Sequence, residues 1–148
     1  MATESARGEA GSNEADAAAS LTDEELALVH SAFDHARAGN TNALAELLKM
    51  GLPANLTNEK GDTLLILAAY YSHPDTVKAL LDAGAAVDRI NDRGQSALSA
   101  ATFRKHEPVA RMLLEAGADP RAGAVSAVAV AEQFGLADFV TLFGGGER

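Results

Sequence analysis

The chain has 148 residues, no cysteine and a formal net charge of −9. That length suits one domain, and the missing cysteines exclude a disulfide framework or a thiolate metal site. The acid excess speaks against general binding to nucleic acid or an anionic membrane, which needs clustered Lys and Arg, and no run reaches the roughly eighteen apolar residues of a membrane span.

Residues 1–20 are small and polar, with no apolar side chain larger than Met1. They cannot bury enough surface to offset the entropy of ordering, so a disordered acidic tail is expected. They also lack the apolar core of a signal peptide. In residues 1–25 seven acids face Arg7 alone, which leaves a net charge of only −3 for the rest of the chain. Order is expected from Leu21. Thr22 and Glu25 have the spacing of a capping box, with Leu21 and Leu26 placed as a hydrophobic staple. Leu26, Val29, Phe33 and Ala36 follow at helical spacing, and Gly39 is placed to end that helix. A second helix is expected from a cap at Asn40 or Thr41, with Leu44, Leu47 and Leu48 on one face and Gly51 as its stop. Helices joined by so short a turn lie antiparallel.

A period then becomes visible. Gly51, Gly84 and Gly117 are each thirty-three residues apart, and each follows a Leu-Leu pair: Leu47-Leu48, Leu80-Leu81, Leu113-Leu114. Asn58 and Asn91, Gly61 and Gly94, and Thr63 and Ser96 share that spacing. A fixed period of this length signals stacked units, each burying its apolar face on its neighbours. Ala68-Ala69 and Ala100-Ala101 are small enough for adjacent helices to approach closely. Pro74 and Pro108 fall in a first helical turn, where a missing N–H is harmless. Asn58-Glu59-Lys60-Gly61 and Asn91-Asp92-Arg93-Gly94 supply turn residues for a hairpin projecting from the helices. The final unit, 124–144, aligns only if three residues are dropped before Ser126; Gly135 then serves as its turn. Residues 145–148 are expected to be frayed.

The unit resembles the ankyrin repeat. The resemblance rests on Gly61-Asp62-Thr63, Leu67-Ala68-Ala69, His73, Val77, Leu80-Leu81 and Gly84-Ala85-Ala86-Val87-Asp88, and on Gly94, Ser96, Leu98, Ala101, His106, Leu113-Leu114 and Gly117-Ala118-Asp119 in the next unit. It implies an all-α helical solenoid with short β-hairpin turns and about four repeats, near 25–57, 58–90, 91–123 and 124–144, within an ordered region 21–144. Leu64 and Ala97 stand where the family has Pro. Ile66 and Ser99 stand where it has a His that ties neighbouring fingers, so a looser or more apolar array is expected there. Ser72 and Lys105 replace a turn glycine. Asp34 and His35 take the places of Leu67 and Ala68, which reads as a terminal cap with a polar outer face. The resemblance also suggests a small stand-alone protein, and the Ala- and Gly-rich composition suggests a bacterial source.

Chemistry is harder to find. His30, His35, His73 and His106 include no i, i+4 pair of a zinc helix, and no phosphate loop or nucleophile elbow appears. No enzyme activity, metal or cofactor is expected. The resemblance instead implies a concave protein-binding face. Its partner-facing positions carry Tyr70, Tyr71, Phe103, Arg104 and Phe134, so four of the seven aromatic residues fall on one strip. The fingers add Glu59, Lys60, Asp62, Asp92, Arg93 and Gln95, and Arg89, Arg93, Arg104 and Lys105 make the third unit locally basic. The expected protein is a cytoplasmic monomer, an adaptor or regulator that binds a protein partner. An alternative is an accessory or assembly factor stabilising a specific enzyme, such as a stress or redox enzyme. A third is an enzyme, for which no motif speaks.

Overall fold

A computed structural model describes residues 21–144 of the chain. The expected acidic tail 1–20 and frayed end 145–148 lie outside the described residues. Eight helices are present among these: α1 Asp23–Ala38, α2 Thr41–Lys49, α3 Leu64–Tyr70, α4 Pro74–Asp82, α5 Ala97–Phe103, α6 Glu107–Glu115, α7 Ala127–Gln133 and α8 Ala137–Leu142. They form four consecutive pairs. The inner helices α1, α3, α5 and α7 pack in that order, and the outer helices α2, α4 and α6 follow behind them. The fold is the expected solenoid of about four repeats. Its hairpins are tight turns rather than strands, with one β-bridge, Thr57 to Thr63, among the described residues.

Local chemistry sets the helix boundaries. Thr22 and Glu25 form the anticipated capping box, each side chain bonding the other's backbone N–H at 3.0 Å. Every later inner helix starts from a hydroxyl: Thr63, Ser96 and Ser126 accept from the N–H three residues on. Each such bond satisfies a donor that the helix cannot pair internally. Inner helices end where the backbone turns left-handed, at Gly39, Ser72, Lys105 and Gly135. Ser72 and Lys105 have φ of 63° and 59°, a conformation that costs an L-residue roughly 1–2 kcal/mol. Pro74 and Pro108 sit within the first turns of α4 and α6, as the missing N–H requires.

The core lies between the two helix layers. Ala68, Ala69, Ala100, Ala101 and Ala131 are buried along the inner stack, so backbones rather than long side chains set its spacing. Of each Leu-Leu pair the first member is core, Leu47, Leu80 and Leu113, while Leu48, Leu81 and Leu114 are only partly buried. The last unit closes with Ala127, Val130, Phe139 and Phe143; the two Phe rings meet edge-on at 6.2 Å.

Polar ties join neighbouring units, and they replace the link lost with the family's His. Asn91 Nδ2 donates to the buried carboxylate of Asp62 at 2.7 Å, and Asp92 N donates to the Lys60 carbonyl at 3.0 Å. On the opposite edge Asn55 Oδ1 accepts from Ala86 N at 2.8 Å, and one period later Asp88 Oδ1 accepts from Asp119 N at 2.9 Å. Thr41 and Thr76 share a hydroxyl bond of 2.7 Å, and His73 Nε2 donates to the Arg37 carbonyl at 2.8 Å. The fingers are therefore fastened, not loose. His73 bridges two units, whereas His106 Nδ1 accepts from Val109 N and caps its own helix.

The first unit departs from a uniformly polar cap. Asp34 is exposed and pairs with Arg37 at 2.6 Å. But the first two turns of α1 occupy the register that the finger holds one period later, and among the described residues no finger covers the apolar side chains there. Leu28 and Met50 are exposed, and with Leu21, Val29, Leu52 and Pro53 they line an apolar groove.

Candidate protein-binding surface

The inner helices present their C-terminal ends on one side of the stack, and the fingers project beside them. The thirty-three-residue register therefore delivers equivalent positions to successive rungs of one face. Tyr70 ends α3, and Tyr71 caps it; Phe103 and Arg104 repeat this on α5; Phe134 caps α7. The structure brings these five together. Tyr70 and Tyr71 meet edge-on at 5.0 Å, Tyr70 stacks on Phe103 at 6.2 Å with planes 13° apart, and Phe103 meets Phe134 edge-on at 5.9 Å. The Arg104 guanidinium lies 5.0 Å from the Tyr70 ring centre, within range of a cation–π contact.

The strip is open. Tyr71, Phe103 and Phe134 are 43%, 44% and 51% exposed, while Tyr70 is half-buried among its neighbours. Three large rings left to solvent on one strip are unusual, because side chains of this size normally bury 150–250 Å² each.

The finger residues divide. Glu59, Lys60, Arg93 and Gln95 line a concave pocket together with Tyr70 and Tyr71, and Asp92 is exposed on the tip of its turn. Asp62 lines the same pocket, but from its floor. Its carboxylate is turned inward and only 5% exposed, held by Asn91. Asp62 is the last residue of its finger, where the chain re-enters the helix layer. Arg37 was not singled out from the sequence, yet it lines the same pocket. The signal was available: Arg37 stands one period before Tyr70, in a unit whose motif had otherwise faded.

Among the described residues no three His, Cys, Asp or Glu side chains are grouped to hold a metal ion. Among those residues, too, no helix is long and apolar enough to cross a membrane.

The family model of ankyrin repeats, in three copies, matches residues 30–123. The chain belongs to the ankyrin repeat family. Members are characteristically non-catalytic. A protein of Pseudomonas aeruginosa named as an ankyrin repeat protein is 58% identical over 50 residues, covering 34% of this chain and 29% of that relative. This ankyrin chain thus matches under a third of the length of the curated relative. The fourth helix pair, α7 and α8, continues the ankyrin stack beyond the residues that the family model spans.

Proposed function

We propose that this ankyrin repeat protein is a non-catalytic binding module that holds a protein partner on its inner face. The observation that carries the reading is the continuous open strip Tyr71–Tyr70–Phe103–Phe134, with Arg104 set against it. Tyr, Phe and Arg are the residues that most often anchor protein interfaces. Here they are pre-placed on short, rigid helices, which lowers the entropy lost on binding. In this reading the protein acts as a cytoplasmic monomer, an adaptor or regulator, and the identity of the captured partner decides between that role and service to one enzyme.

The test is comparative capture from host extract with the wild-type chain and with Tyr71→Ala/Phe103→Ala/Arg104→Ala. All three side chains are exposed, so helicity and thermal midpoint should hardly change. Recovery of the partner should fall at least tenfold. Equal recovery by a variant that remains folded rules out the strip.

A further inference from the structure

Most cations on the helices pair with an acid of their own helix, as Arg37 does with Asp34 on the inner helix α1. On the outer helices Lys49, Lys78 and Arg111 each pair with an acid of their own helix, Glu46, Asp82 and Glu107. On the inner face Lys60, Arg93 and Arg104 have no carboxylate partner among the described residues; Arg93 Nε donates to the Gln95 side chain, and Arg104 lies against Tyr70. Lys60 and Arg93 stand one period apart on successive fingers and line the same pocket. Three cations beside the aromatic strip are therefore left without a contacting carboxylate among the described residues, on a chain whose net charge is −9.

We infer that the inner face takes an extended acidic peptide segment carrying at least one aromatic or large aliphatic side chain. This rests on the reading of that face as the binding surface and specifies its partner. Packed helices stand about 8–10 Å apart, and a chain in the extended polyproline II form advances about 3.1 Å per residue with three residues per turn, so that positions i and i+3 share one face. A peptide running along the stack therefore meets successive fingers every third residue. The segment that fits carries Asp or Glu at i and i+3, facing Lys60 and Arg93. Its apolar side chain covers Phe103 and Phe134, and a further carboxylate reaches Arg104. Glu59 and Asp92 are interspersed with these cations on the fingers. They disfavour a uniform polyphosphate and favour a partner whose charges are spaced.

The experiment selects from a displayed library of random twelve-residue peptides on the full-length chain. Synthetic copies of the enriched peptides are then titrated by fluorescence anisotropy. Enrichment of acids three apart beside an aromatic or aliphatic residue is expected. Lys60→Glu/Arg93→Glu/Arg104→Glu should weaken those peptides at least tenfold, the corresponding triple Gln variant should weaken them less, and added salt should weaken them further, as for any exposed charge contact. A second pair of variants separates the two readings. If the enriched peptides are neutral or basic yet are lost with Tyr71→Ala/Phe103→Ala, the binding face stands and the acidic partner is overturned. If enriched peptides ignore both sets of variants, or none is enriched, both readings fail. Tighter binding of a single-stranded oligonucleotide than of any peptide also overturns the proposal.

Discussion

Asn91→Ala should destabilise the protein by about 3 kcal/mol, a large share of the stability of a small domain. Asn91 is 5% exposed and its side chain makes four hydrogen bonds. Its Oδ1 accepts from the N–H groups of Arg93 and Gln95, both at 2.9 Å, and so shapes its own finger. Its Nδ2 donates to Gln95 and to the buried carboxylate of Asp62. Truncation removes the turn bonds and also leaves that carboxylate without the donor that faces it. The second loss dominates, because an unsatisfied buried charge costs more than a missing neutral bond. Asn58 provides the control. It makes the same two turn bonds, to Lys60 N and Asp62 N, but is less buried. Asn58→Ala should cost only about 1 kcal/mol. Urea titrations followed by helicity measure both. Equal losses for the two variants would show that the finger-to-finger tie contributes little.

Leu98→Ala should cost about 3 kcal/mol, within the usual range for a fully buried leucine. Leu98 is 0% exposed on α5, the helix that packs against both α3 and α7. The vacated space is walled by short helices already in close contact through alanines, so it cannot readily collapse. In a one-dimensional stack a lesion in a central rung weakens two interfaces, while one in a terminal unit weakens fewer. Leu47, in the first unit and at the edge of the core, should therefore cost less on the same substitution, about 2 kcal/mol. Thermal or urea midpoints of the two variants check the order. A larger loss at Leu47 than at Leu98 would be incompatible with coupling between neighbours alone.

These two residues also show what the sequence disclosed. Leu98 is legible because its reason is local and periodic: it lies two residues after a helix-capping Ser96 and repeats the core register of the preceding unit. The same logic recovers the capping box at Thr22 and Glu25 and the turns at Ser72 and Lys105. The bond from Asn91 to Asp62 was not legible. It joins residues twenty-nine apart, and no local pattern says which of two neighbouring finger side chains turns inward. Asp62 was read only as a finger residue of the binding face; it does line the pocket there, but the tie that holds its carboxylate was not visible. The periodic bonds that Asn55 and Asp88 accept from Ala86 N and Asp119 N escaped notice for the same reason. At the first unit, Asp34 and His35 announced a polar cap, but the exposure of Leu28 follows from the greater length of α1, which geometry rather than pattern reveals. The aromatic strip lies between these cases. Its residues were nameable from the register, whereas their ring-to-ring continuity depends on how closely the alanine-rich helices stack.

The layered stack itself is tested most directly by amide hydrogen exchange of the unliganded full-length chain, read residue by residue. Slowest exchange is expected in α3 and α5, which have a neighbour on each side, with protection falling toward α1 and toward α8. Equal protection across all eight helices, or a maximum at either end of the chain, would contradict an open row of units and with it the exposed inner face on which the binding role depends.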